Sequence, residues 1–289
     1  MTLRANFLHG VIAAIAVQAS LATASAEPAM WVIRDEDSTI YLLGTIHVLR
    51  PDTAWQTPKI KNAVAESTEL WTEIAGGETD MAALIGKYGF SPKKPLSRRL
   101  QPKQKERIWK MAKEYGFPTK LLEPMKPWYA ALTWTMLPIY KAGYNPQAGV
   151  EAFLTTQARF EGDKLAGFET LEEQIEIMNG LPEAEQIKYL METLADVEKG
   201  LAELEKLIGA WAEGDTDHLA KEFVEEMARD APSLYKRMFV DRNTRWSQQI
   251  AEMLKGSGVQ FVAVGAGHLV GPDSVQELLR QQGIKAERY

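Results

Sequence analysis

Two apolar runs, one near each end of the chain, break at a glycine that is followed three residues later by a histidine. The first run extends from Tyr41 to His47 with its glycine at Gly44, and the second extends from Phe261 to His268 with its glycine at Gly265. Both runs are typical of buried strands that end at glycine. Ligands bind at such strand ends in open α/β sheets, and neutral imidazole is the commonest metal ligand. The pair therefore predicts an active or metal site assembled from the two ends of the chain.

The remaining pattern predicts an α/β fold with a mixed sheet built from the N- and C-terminal thirds. A hairpin is expected within residues 31–46, short strands at 69–74, 164–168 and 259–264, and a final strand at 284–288. Roughly residues 78–160 and 182–255 are helical in pattern, including one long helix from Pro182 to about Trp211. We expect these segments to form a large helical insertion that covers one side of the sheet, with the strands before His47 and His268 as neighbours.

Residues 1–26 are typical of a secretory signal peptide. Arg4 supplies a positive start, Val11 to Ala22 is almost unbroken in its apolar character, and Ala24-Ser25-Ala26 is a small-x-small cleavage site. The alternative, an uncleaved membrane anchor, is disfavoured because the apolar stretch is short for a membrane span. We therefore expect an exported, periplasmic or secreted protein whose mature domain, residues 27–289, has no stable membrane insertion.

Charge and residue usage exclude several classes of function. The net charge of −6 becomes −7 when Arg4 is removed with the signal peptide, which gives no electrostatic footprint for nucleic acid. The absence of cysteine excludes thiol catalysis and disulfides. Neither a Gly-x-Ser-x-Gly elbow nor a His-Glu-x-x-His helix is present, so serine-triad and zincin chemistry are not expected. The glycines from Gly265 to Gly271 lack the spacing of a dinucleotide-binding loop.

Glu73 is the carboxylate placed to join the two histidines, because it closes a short strand in the same N-terminal region as His47. Two histidines and one glutamate are enough protein ligands for a catalytic divalent metal with open positions for water. Alternatively, Glu73 is a general base and no metal is present. Arg242, on a long C-terminal helix, is a candidate to stabilise an oxyanion, or else a surface arginine. Glu151 and Glu169 are further candidates if they are buried.

The ordered set of motifs resembles the TraB/GumN family, whose branches include exported GumN-like proteins of bacteria and the TIKI metalloproteases of animals. The family's Gly-Val-acid motif often has aspartate where this chain has Glu151, and many relatives have an acid where it has Ala75. The matching stretches extend over nearly all of the mature chain: Tyr41 to His47, Lys126-Pro127-Trp128, Gly143 to Pro146, Gly149-Val150-Glu151, Gly167 to Gln174, Asp241-Arg242-Asn243 with Trp246, and Val262 to Asp273.

The resemblance implies a divalent-metal hydrolase with a fold similar to the ChaN-like and erythromycin-esterase-like proteins. The family pattern of two Gly-x-x-His motifs and one glutamate maps onto His47, His268 and Glu73 as metal ligands. Together with the sequence pattern, it leads us to expect an exported hydrolase that uses Mn, Co or Zn and cleaves a peptide or a related amide or ester bond. The alternative is a non-catalytic periplasmic protein that binds peptide, haem or a polysaccharide-pathway partner.

Overall fold

The computed structural model describes residues 27–75, 80–197 and 200–289. The predicted signal peptide, residues 1–26, lies outside these ranges. Across the ranges that are described, no helix combines the length and the apolar character needed to cross a bilayer.

Within these ranges, one mixed sheet is formed by β1 (Met30–Arg34), β2 (Ser38–Thr45), β3 (Glu69–Ile74), β4 (Lys164–Glu169), β5 (Gly258–Gly265) and β6 (Glu287–Arg288). The strand order is β4-β3-β5-β2-β1-β6, in which β2, β5, β3 and β4 are parallel and β1 is antiparallel to both its neighbours. The predicted mixed sheet is confirmed, and the strands before His47 and His268 are adjacent, with Gly44 opposite Val264. The last strand has two residues rather than the five predicted.

Helices connect and cover these strands. They are α1 (Pro58–Glu66), α2 (Met81–Tyr88), α3 (Pro102–Tyr115), α4 (Thr119–Leu122), α5 (Pro127–Lys141), α6 (Val150–Glu161), α7 (Leu171–Asn179), α8 (Glu183–Asp196), α9 (Gly200–Glu213), α10 (Thr216–Leu219), α11 (Glu226–Asp230), α12 (Pro232–Tyr235), α13 (Asp241–Met253) and α14 (Val275–Gln281). The single helix predicted from Pro182 to Trp211 is wrong, because α8 ends at Asp196 and Val197 is already in a turn; α9 is described from Gly200 onward.

Both faces of the sheet are covered by helices. Tyr41 and Leu43 of β2 pack with residues of α1, α6 and α9, whereas Ile40 and Leu42 pack on the opposite face with α13 and α14. This division follows from the two-residue period of a strand, which sends alternate side chains to opposite faces. The insertion was expected to cover one side only, and that is wrong because α13, which lies within it, covers the other side.

The insertion also has a core of its own, away from the sheet. Ile108 of α3, Trp134 of α5 and Leu190 of α8 are completely buried in a cluster that contains no strand residue. Amphipathic helices bury their apolar stripes against one another when no sheet face is available. The molecule therefore contains a strand-based part and a helical part packed on its own core.

Candidate functional site

The carboxyl ends of four parallel strands meet at one edge of the sheet. Thr45 and Gly265 end β2 and β5 and are opposite each other, while Ile74 of β3 is opposite Glu169 of β4. The last buried side chain of β3 is Glu73. Parallel strands send their carboxyl ends to the same edge, which is where open α/β sheets bind ligands. The polar groups described below gather at this edge, some from the strand ends and some from the helices α6, α7 and α13.

His47 stands in the loop that follows β2, and this loop is fixed by the segment before α6. The backbone of Leu49 pairs with that of Asn145, and the Val150 amide donates to the Ile46 carbonyl at 3.1 Å. A side chain at Gly149 would place its Cβ 2.2 Å from the His47 carbonyl oxygen, so only glycine allows this approach. The close packing brings the first turn of α6 against His47.

The contact partner of His47 is Glu151, in the first turn of α6. His47 Nδ1 is 2.7 Å from Glu151 Oε1, which also accepts a hydrogen bond from the Thr45 hydroxyl. The His47 side chain remains 64% exposed. The negative charge of Glu151 raises the pKa of His47 to about 9, so the metal-free imidazole is a cation at neutral pH.

Glu73 lies between the two imidazoles. Its Oε1 is 3.9 Å from His47 Nε2 and 3.7 Å from His268 Nε2, and it accepts the Gly265 amide at 2.8 Å. A Cβ at Gly265 would stand 3.0 Å from that same oxygen, which explains the glycine there. Burial alone would raise the pKa of Glu73, but the charges of Arg242 and His47 and the Gly265 amide lower it below its ordinary value. Glu73 is therefore a buried carboxylate anion.

His268 occupies a buried 3-10 turn, Ala266–Leu269, directly after β5. Its Nδ1 is 2.6 Å from Asn243 Oδ1, and the Asn243 amide nitrogen donates to the Asp273 carbonyl at 2.7 Å. This orientation of the amide places the ring proton on Nδ1 and leaves Nε2 as an acceptor. Burial lowers the pKa of His268 to about 3, so the ring is neutral.

Arg242, at the start of α13, uses all its donors within the protein. Its Nε and Nη2 bond Glu169, Nη2 also donates to Glu73 Oε2 at 2.6 Å, and Nη1 faces the Met238 carbonyl and His268 Nε2. A guanidinium has five N–H groups, and five contacts account for them. The side chain is 2% exposed. Gln174 donates to Glu73 and Glu169 as well, which completes a closed polar network.

The donor atoms of His47, Glu73 and Glu151 lie within 4.8 Å of one another. One atom of this group, Glu151 Oε2, is buried and has no hydrogen-bond partner within the described residues. A buried carboxylate oxygen without a partner is costly, and a cation would satisfy it. One imidazole and two carboxylates match the ligand preferences of Zn²⁺ and related divalent ions. The residues present therefore fit a divalent metal.

The structure brings together all four residues predicted for the site: His47, Glu73, His268 and Arg242. His268 is not part of the group within 4.8 Å, but its Nε2 faces Glu73 and accepts from Arg242. Sequence reasoning left the burial of Glu151 and Glu169 open; the Glu169 side chain is buried, and 17% of the Glu151 side chain is exposed. It did not foresee Thr45, Gln174 and Asn243. All three lie within stretches that resemble the family pattern: Thr45 in Tyr41 to His47, Gln174 at the end of Gly167 to Gln174, and Asn243 beside Arg242.

Comparison with known proteins gives this chain a family context. The model of the TraB/PrgY/gumN family matches residues 29–288. An uncharacterised protein of Treponema pallidum is 22% identical over 274 residues, which is 89% of this chain and 82% of that protein. The uncharacterised protein YbaP of Escherichia coli is 23% identical over 257 residues, which is 88% of this chain and 92% of YbaP.

A more distant similarity links part of the chain to a named enzyme. Metalloprotease TIKI2 of Danio rerio is 27% identical over 164 residues, which is 48% of this chain and 32% of TIKI2. No solved structure matches the chain, so its likeness to ChaN and erythromycin esterase stays a prediction.

Proposed function

This chain belongs to the TraB/PrgY/gumN family, and on that premise we propose that it is an exported, metal-dependent hydrolase that cleaves a peptide or related amide or ester bond. The observation that carries the proposal is the convergence of His47, Glu73 and Glu151 at the strand ends, with Glu151 Oε2 buried and unpartnered. The distant similarity to a protein named as a metalloprotease supports hydrolytic chemistry. The signal-like residues 1–26 support export.

His47, Glu73 and Glu151 would hold the metal, with His268 beside them as the fourth candidate. A bound divalent ion would polarise the carbonyl of the substrate and lower the pKa of a bound water to near neutral. The protein residues orient this group. In the metal-free protein Glu151 Oε1 contacts His47 Nδ1 and His47 Nε2 faces Glu73, which leaves Glu151 Oε2 as the oxygen without a protein partner.

Arg242 is placed to position the carboxylates rather than to contact substrate. It binds Glu73 through Oε2, which leaves Oε1 facing the two imidazoles. Its five N–H groups all have protein acceptors, so a role as an oxyanion stabiliser would require one of these bonds to break. We therefore propose that Arg242 keeps Glu73 ionised and oriented.

Hydrolysis of fluorescein-labelled casein and of simple amino-acid esters tests this function. We expect turnover that requires added Mn²⁺, Co²⁺ or Zn²⁺, stops with a chelator and is lost in Glu73→Gln. Glu69→Gln is the matched control, because Glu69 lies at the opposite end of the same strand and pairs with Lys164. Metal-independent turnover, or equal activity in Glu73→Gln, would contradict the proposal. Retained metal without turnover in Glu73→Gln would assign Glu73 as the general base.

One observation favours the second candidate, a non-catalytic binding protein. Arg242 already occupies His268 Nε2 and one oxygen of Glu73, so the buried half of the site is internally satisfied. The buried half of the site therefore keeps its structure without a bound ion. Ligand binding without hydrolysis of any substrate class under metal-loaded conditions would support this alternative.

A further inference from the structure

A recess lies in the helical part of the molecule. It is a cleft of about 460 Å³ between α5, α8, α11 and the π-helical segment Ala220–Glu225. Trp134, Ile139, Phe223, Met227 and Leu234 form its apolar floor. Pockets that bind small ligands or peptide side chains have volumes of about 300 to 1,000 Å³ and apolar linings. The cleft is therefore large enough for two or three side chains.

The rim of the cleft is acidic. Among the described residues that line it, the charged side chains are Glu192, Glu222, Glu226 and Asp230, and none is basic. Two cations lie just outside: Lys188 is 3.5 Å from Glu192, and Arg229 contacts both Glu226 and Asp230. Counted over these described residues alone, four negative and two positive charges leave a net charge of −2. An apolar ligand that also carries positive charge is the complementary occupant.

The cleft shares a wall with the turn that carries His268. Phe223, which lines the cleft, has its Cβ 4.0 Å from the position that a Cβ on Gly267 would occupy. Gly267 directly precedes His268, and Phe239 packs against both of them. Phe223 and Phe239 therefore both lie against the turn that carries His268, and Phe223 belongs to a π-helical segment, a form found frequently at functional sites.

We propose that this cleft binds a peptide segment in which a large apolar side chain stands next to lysine or arginine. The apolar floor would receive the apolar side chain, and the acidic rim would attract the neighbouring cation. As a statement about substrate, this inference rests on the proposed hydrolase function: the cleft then selects which peptides reach the strand-end site. As a statement about binding, it does not depend on catalysis.

Fluorescence anisotropy with the full chain in metal-free buffer tests the binding directly. The probes are fluorescein-labelled Lys-Leu-Phe-Lys, its counterpart Glu-Leu-Phe-Glu, and Lys-Ser-Ser-Lys. We expect the first to bind at least about tenfold more tightly than either of the others, because it alone satisfies both the acidic rim and the apolar floor. Equal affinity for the basic and acidic probes, or no binding of Lys-Leu-Phe-Lys, would overturn the inference.

A matched pair of variants locates the binding. Glu222 lines the cleft, whereas Glu225, one turn along the same segment, is exposed and does not line it. Glu222→Gln should weaken binding of Lys-Leu-Phe-Lys by about threefold, and Glu225→Gln should leave it unchanged. Equal weakening in both variants would overturn the assignment to this cleft. Cleavage without preference for basic apolar peptides would refute the substrate inference alone, whereas binding without cleavage would refute only the proposed function.

Discussion

The two strand ends that carry His47 and His268 are adjacent and parallel, yet the two imidazoles are in opposite environments. His47 is mostly exposed and contacts the carboxylate of Glu151, whereas His268 is buried against the amide of Asn243. The pKa is raised to about 9 in His47 and lowered to about 3 in His268. The same short motif therefore sets the location of an imidazole, and partners from distant segments set its charge.

The difference arises in the residues that follow each glycine. After Gly44 the chain leaves the sheet as a loop tied to the segment before α6, which keeps one side of His47 open to solvent. After Gly265 it forms a tight turn whose histidine ring packs 4.4 Å from the Trp246 ring and 5.1 Å from the Phe239 ring, between centroids. The exposed His47 is therefore accessible to a ligand, whereas the buried His268 is held within the protein.

The largest expected effect on the free energy of unfolding comes from removing the positive charge of Arg242 at the buried end of the site. Arg242→Met would leave Glu73 and Glu169 buried without their countercharge. Breaking a buried ion pair by removing one partner costs about 3 to 5 kcal/mol of unfolding free energy. Denaturant unfolding monitored by tryptophan fluorescence measures this change.

Arg245→Met is the control for Arg242, because Arg245 is 3.7 Å from Glu169 but its side chain is half exposed. Exposed pairs contribute less than about 1 kcal/mol, so this variant should remain close to wild type. Similar losses in the two variants would show that the buried network is not what stabilises this end of the sheet.

An intermediate effect should separate the two histidines. His268→Ala would open a cavity beside Trp246 and Phe239 and leave Asn243 Oδ1 without its donor, which we expect to cost about 2 to 4 kcal/mol. His47→Ala removes a mostly exposed ring, and we expect a loss below about 1 kcal/mol. Thermal and denaturant unfolding of the two variants would contradict the comparison if their losses were equal.

The smallest expected effect is a difference in protonation between His47 and His268, which can be observed by spectroscopy without changing the fold. In metal-free protein, long-range nitrogen–proton NMR of the imidazoles should show His47 protonated at both nitrogens at pH 7, losing a proton near pH 9. His268 should remain neutral at pH 7 with its proton on Nδ1, and should become a cation only near pH 3.

Glu151→Gln provides the control for that titration, because it removes the negative charge that raises the pKa of His47. The His47 pKa should then fall toward the ordinary value of about 6.5, while His268 is unaffected. Two histidines that titrate together in wild-type protein would refute the contrast between the exposed and buried ends.

Much of the sheet could be predicted because strands leave a strong local pattern. Apolar runs ending at Gly44 and Gly265 predicted neighbouring strand ends, and the structure has them side by side. The end of α8 at Asp196 was missed because the apolar period continues into α9, and periodicity alone does not show where a helix stops.

The polar network could not be predicted in full, because its contacts join residues far apart in sequence. The pair between Thr45 and Glu151 spans 106 positions, and that between Glu73 and Arg242 spans 169. The sequence suggested Arg242 as a stabiliser of an oxyanion, whereas its burial and its bonds to two carboxylates are visible only in the fold. Residue type predicts chemistry, and burial decides which chemistry is available.

Metal uptake is the measurement that tests the central claim most directly. Metal-free protein is dialysed against Mn²⁺, Co²⁺ or Zn²⁺ and its bound metal is determined by mass spectrometry, with His47→Ala and Glu73→Gln beside the wild type. We predict about one ion per chain in the wild type and none in His47→Ala, whose unfolding free energy stays near that of the wild type. No uptake by the wild type, or equal uptake by His47→Ala, would contradict a metal centre at the strand ends.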